Sequence, residues 1–107
     1  MYSIVIPSYR RSQKLKNETL NTLNRFEVEK NIIHIFVVEE EYDEYKSLLP
    51  EYKIIIGEKG IINQKRFIEN YFKENDLLLF LDVNIKIVTM WVFLYLYLLE
   101  SMKVVIL

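Results

Sequence analysis

Residues 32–38 read Ile-Ile-His-Ile-Phe-Val-Val. A continuous apolar run with several β-branched members is the pattern of a strand covered on both faces, as parallel sheets require. Working outward from it, the same kind of segment recurs. On the amino-terminal side, residues 2–6 (YSIVI) form a short β-rich run closed by Pro7 and a polar turn. On the carboxyl-terminal side, residues 52–56 (YKIII) end at Gly57, and residues 77–81 (LLLFL) follow the chain-breaking pair Asn75 and Asp76.

Between these runs the period changes to that of a helix. Polar residues 12–17 lead into Leu20, Leu23 and Phe26 at three-residue spacing, with Glu18 early in the segment, where a carboxylate suits the helix dipole. Glu39, Glu40 and Glu41 open a stretch with Tyr42, Tyr45, Leu48 and Leu49 at helical spacing, stopped by Pro50. Gly60 precedes a third such segment, which places Ile61, Ile68, Tyr71 and Phe72 on one face. Strand and helix thus alternate through four strands, the order of an α/β protein with a parallel sheet and right-handed crossovers. Ligands of such sheets bind outside the carboxyl ends of the strands. Those ends are Pro7-Ser8-Tyr9-Arg10, Glu39-Glu40, Gly57 and Asp82-Val83-Asn84.

Composition narrows the function classes. The 107 residues suffice for one hydrophobic core; 51% are hydrophobic and 27% charged, with two glycines and two prolines, which excludes disordered and collagen-like chains. Fourteen basic against fifteen acidic residues leave a formal charge of -1, so no broad basic field is available for a nucleic-acid backbone. The absence of cysteine excludes disulfides and thiolate metal sites, and a cytoplasmic location fits best. The opening MYSIVIPSYRR lacks a basic stretch before its short apolar run, so no signal peptide is expected. Residues 87–99 (IVTMWVFLYLYLL) are apolar except for Thr89, yet thirteen residues are too few to span a bilayer. Their aromatic members Trp91, Phe93, Tyr95 and Tyr97 read as packing, and His34, with no second metal-ligating partner nearby in sequence, reads as a core residue.

The segments IVIPSYRR, TLNTL, FVVEEEYDEY, GIINQKRFIENYF and LLLFLDVN resemble, in order and spacing, the first half of GT-A glycosyltransferases, most closely the TET-associated and family-2-like groups. The resemblance covers about residues 2–86. It implies a three-layer α/β sandwich with a mostly parallel sheet in strand order 3-2-1-4, residues 1–86 forming a nucleotide-sugar-binding half domain and 87–107 an apolar segment that packs on the sheet or on a partner. It also implies transfer of a sugar from a nucleotide donor such as a UDP-sugar, with a divalent metal, Mn²⁺ or Mg²⁺, at the end of the fourth strand. In the TET-associated group the acceptor is a modified base in DNA.

Carried over residue by residue, the resemblance assigns Pro7, Ser8, Tyr9 and Arg10 to base, ribose and phosphate, Glu39 to ribose or base, and Lys65 and Arg66 to the diphosphate. Asp82 and Asn84 become the metal ligands, since oxygens two residues apart on an extended segment share a side. This chain departs from the family where Val83 cannot ligate and Asn84 offers only a neutral carbonyl. The readings from residues alone stand beside these: a turn capped by Ser8, an acidic helix cap at Glu39, helix surface at Lys65 and Arg66, a turn at Asp82. No residue after Asp82 makes a convincing catalytic base; Glu100 is a poor one. Either the chain keeps the donor half without turnover, which is the preferred reading, or another chain completes the site. The apolar tail offers a homodimer contact. The alternatives to a glycosyltransferase are a non-catalytic α/β interaction module using that tail and a nucleotidyltransferase on the same sheet edge.

Overall fold

The computed structural model describes residues 2–72, 77–83 and 104–106. Asn84, the apolar segment 87–99 with its four aromatic residues, and Glu100 lie outside the described residues. Strands β1 (Tyr2–Pro7), β2 (Ile33–Val37), β3 (Lys53–Ile56) and β4 (Leu77–Phe80) form a parallel sheet in the order β3-β2-β1-β4, and a further parallel strand, β5 (Val104–Ile106), pairs with the outer side of β4. The protein is therefore α/β with a parallel sheet in the 3-2-1-4 order. The register sets Ile4 opposite Ile33 on one side and Leu79 on the other.

Because side chains alternate across a strand, the two faces of the sheet carry different residues. One face gathers Ile4, Ile6, Ile33, Ile35, Val37 and Leu79. It is covered by the helical segment built from α1 (Ser12–Lys14), a π-helical turn (Leu15–Leu20) and α2 (Asn21–Arg25), together with α3 (Tyr42–Leu48). The opposite face gathers Val5, Phe36, Leu78 and Phe80 under Ile68 and Phe67 of α4 (Ile61–Tyr71). Both sides of each inner strand are consumed, which is why residues 32–38 are apolar without alternation.

Two features differ from a simple amphipathic reading. Leu15 and Leu20 are both fully packed in the first cluster although five residues of α-helix turn the chain about 140° past its own face. The wider π turn between them brings both back toward the sheet. In α4, Ile68 is buried but Ile61 is 91% exposed and Tyr71 is 51% exposed. The helix starts beyond the carboxyl edge of the sheet, so its first turn has no strand beneath it, and Gln64 rather than Ile61 is the first inward residue. No helix among the described residues is long and apolar enough to cross a membrane.

His34 is buried in β2, its Nδ1–H donates to the Ile32 carbonyl at 3.1 Å, and its ring meets Phe72 edge-on at 5.1 Å. Burial, aided by the Lys53 charge, holds its pKa below the ordinary value of 6.5. The unfolded chain then binds a proton that the native state refuses, so the His34 contribution to stability is complete above about pH 6.5 and shrinks as pH falls through the depressed native value. His34 is the only histidine. The melting temperature is expected to fall between pH 7.5 and 5.5, and His34→Gln is expected to remove that fall in thermal melts across the same window.

Candidate functional site

The parallel order reverses direction of travel at β1: β2 and β3 are added on one side of it and β4 on the other. The connection leaving β1 runs to β2 on one side while β4 stands on the other, and a crevice opens outside the carboxyl ends of β1 and β4. A cavity of about 500 Å³ occupies that place. Pro7, Ser8 and Tyr9 line it from the end of β1, and Phe80, Leu81 and Asp82 from the end of β4. Val38 closes it beneath β2, and the lead-in to α4 (Glu58, Lys59, Gly60, with Ile61, Gln64 and Lys65 of the helix) forms the facing wall.

The walls are held by specific contacts. Backbone bonds continue the ladder past the strand ends, with Ser8 N–H donating to Phe36 at 2.9 Å, Gly57 N–H to Val37 at 2.8 Å and Leu81 N–H to Val5 at 3.0 Å. The buried Gln64 accepts from the Glu58 amide through Oε1 at 2.8 Å and directs Nε2 toward the Val37 carbonyl. Its carboxamide lies so close over Gly57 that a Cβ there would have to displace it. Gly60, at φ 98°, is the residue that swings the chain into α4, and no side chain caps that helix start. Gly60 and Ile61 of this helix start line the cavity, and the first-turn amides of a helix have no intrahelical acceptor.

On the other wall, the loop after β1 is gripped by α3. The Tyr45 side chain is fully buried, and its hydroxyl meets the Ser8 hydroxyl at 2.7 Å and accepts from the Arg11 amide at 3.1 Å. Burial is the main reason the Tyr45 phenol sits above its ordinary pKa. The Arg10 amide donates to both carboxylate oxygens of Glu41, and Ser12 donates to Glu44. Tyr9 projects outward with the Arg10 guanidinium 5.0 Å and the Lys59 ammonium 6.0 Å from its ring centre. The Lys59 contact links the β1 loop to the lead-in of α4, and the Arg10 contact stays within the loop.

Of the residues singled out by sequence, the structure brings Pro7, Ser8, Tyr9, Lys65 and Asp82 into one cavity. Arg10 stands beside it, lining an adjoining open cleft of about 700 Å³ with Arg11, Lys14, Glu41 and Glu44. Glu39 is exposed in the 3-10 turn Glu39–Glu41, Arg66 is exposed on α4, and neither lines either cavity. Ser8 commits its hydroxyl to Tyr45 and is buried, which makes it part of the scaffold of the loop. Sequence reasoning missed Glu58, Lys59 and Gln64. The local signal was Gly60 itself: a glycine that opens a helix beyond a strand end places its neighbours at the ligand edge.

The expected metal site is incomplete within the described residues. Asp82 is exposed at the cavity, Val83 is buried and apolar, and no group of three or more potential metal-binding side chains gathers among the described residues. One carboxylate suits a Mg²⁺-like ion shared with substrate phosphates, and does not suit a cage made by protein alone. No family model, curated protein or solved structure matches the chain.

Tyr45→Phe deprives the buried Ser8 hydroxyl and the Arg11 amide of their shared partner. Denaturant unfolding is expected to show a loss of about 1–3 kcal/mol, and Ser8→Ala combined with Tyr45→Phe is expected to cost less than the two single losses added together.

Proposed function

We propose that this chain is the donor-binding part of a glycosyltransferase-like protein and takes a nucleotide-diphosphate sugar, a UDP-sugar foremost, in the cavity between the ends of β1 and β4. The observation that carries this reading is the position of the cavity at the switch point of a parallel sheet, lined on one side by an exposed tyrosine and on the other by an uncapped helix start with two lysines. Each part of such a donor has a matching surface. The apolar wall of Pro7, Val38, Phe80 and Leu81 suits a flat base, and Tyr9 can stack on it. Lys59, Lys65 and the first amides of α4 suit the diphosphate.

The charges of the lining balance, with Lys59 and Lys65 opposed by Glu58 and Asp82. A dianionic diphosphate beside Asp82 needs a further positive charge. A divalent ion, Mn²⁺ or Mg²⁺, held by the Asp82 carboxylate would supply it and would stabilise the charge that develops on the nucleotide. Sugar transfer to an acceptor, a DNA base being the acceptor the family resemblance suggests, also requires a base that takes the acceptor proton; the resemblance places that base after the metal motif, whereas Glu58, the cavity's carboxylate besides Asp82, lies before it in the lead-in to α4. The proposal is accordingly confined to donor binding.

A second reading, a non-catalytic interaction module, is favoured by the exposure of Ile61 at 91% and Ile62 at 68% at the start of α4. Nucleotide binding separates the two. UDP and UDP-glucose with Mn²⁺ are expected to raise the melting temperature by several degrees, since a ligand at a hundred times its Kd stabilises by about 2.7 kcal/mol. Asp82→Ala is expected to remove the Mn²⁺-dependent part of the shift, read against the variant's own ligand-free melting temperature. The absence of a shift with any nucleotide, with or without metal, would discard the donor site in favour of the interaction module.

A further inference from the structure

Arg10 adopts φ 54°, in the left-handed region that disfavours residues other than glycine. It does so between Tyr9, which lines the cavity, and Arg11, at the exposed rim of the loop. A strained conformation at such a place persists only where the surroundings over-determine it. Here the determining contact is visible: both carboxylate oxygens of Glu41 lie 3.0 Å from the Arg10 amide nitrogen. Glu41, Glu44 and Tyr45 are three and four residues apart and so share one side of the α3 start, and all three reach the same loop, at Arg10, Ser12, and Ser8 with Arg11.

We propose that Glu41 is a positioning residue for ligand binding in the cavity: by clamping the Arg10 amide it holds the left-handed turn that sets the Tyr9 ring and the Arg10 guanidinium at the cavity mouth. The inference rests on the nucleotide-binding reading of the cavity given above. Glu41 itself lines the adjoining cleft and not the cavity, so it acts through the backbone of Arg10. Without the clamp the loop relaxes toward ordinary backbone angles, and the fraction of molecules with Tyr9 in place falls; apparent affinity falls by the same fraction. Glycine accepts a left-handed backbone without strain. In a chain with glycine at position 10 the clamp has little left to do.

The test is a double-mutant cycle read by calorimetric titration of UDP with Mn²⁺ into wild type, Glu41→Ala, Arg10→Gly and the double variant, with thermal melts of each ligand-free protein. Glu41→Ala is expected to weaken binding roughly tenfold. In the Arg10→Gly background the same change is expected to weaken it less than about twofold. A purely structural Glu41 would lower the melting temperature and leave both affinities alone, and that result overturns the proposal. Equal losses in both backgrounds also overturn it, because Glu41 would then act by charge and not through the Arg10 backbone. Wild type that binds no nucleotide removes the donor reading and this inference together, an outcome distinct from the first two. Should Glu41→Ala fail to fold, hydrogen exchange in the wild type decides: a protected Arg10 amide is expected, and exchange at the unprotected rate contradicts the clamp.

Discussion

Parallel pairing governs this structure. Two parallel strands cannot be joined by a tight turn, so each connection must cross back over the sheet and start again at the same end. Each of the pairings β3-β2, β2-β1, β1-β4 and β4-β5 is parallel. Two consequences follow together. The crossing segments cover both faces, which buries Ile4, Ile6 and Val37 on one side and Val5, Phe36 and Phe80 on the other. The carboxyl ends of β1 to β4 meet at one edge, where polar and charged residues gather without entering either core.

That edge is built to keep its shape. On one side a fully buried Tyr45 reaches from α3 to the Ser8 hydroxyl and the Arg11 amide, and Glu41 and Glu44 bind the same loop. On the other, Gln64 fills the space that glycine leaves at position 57 and bonds to the Glu58 amide. Both devices use side chains from helices to fix loops that follow strands. The parts left exposed at the edge, Tyr9, Lys59, Lys65 and Asp82, are those with groups suited to a base, a phosphate or a cation. Rigid walls with exposed polar tips are what a preorganised small-molecule site needs.

The strands and their order of appearance were readable because burial on both faces leaves an unbroken apolar run, as in residues 32–38, and because Pro7, Gly57 and Asp82 mark where such runs stop. The helix over 42–48 was equally legible from Tyr45 and Leu48 before Pro50. Part of the site came with the strand ends: Tyr9 and Asp82 follow directly from where β1 and β4 terminate. Lys59 could have been found from its place beside Gly60, but the roles of Gln64 and Glu41 were not legible, for a shared reason. Gln64 matters because it meets Gly57 and Val37, and Glu41 because it meets Arg10 thirty-one residues away. Nothing in local spacing reports a contact between elements. Ile61 misled in the opposite sense, since its helical periodicity is correct but its turn lies past the end of the sheet.

The central claim, that the crevice between the ends of β1 and β4 is a nucleotide-sugar site, is tested most directly by mapping UDP-glucose and Mn²⁺ onto the backbone amides of the isotope-labelled protein by NMR. The account predicts saturable shifts concentrated at residues 7–10, 57–65 and 80–82, with α2 and the outer edge of β3 unmoved. Shifts centred elsewhere, or none at millimolar donor, would contradict it.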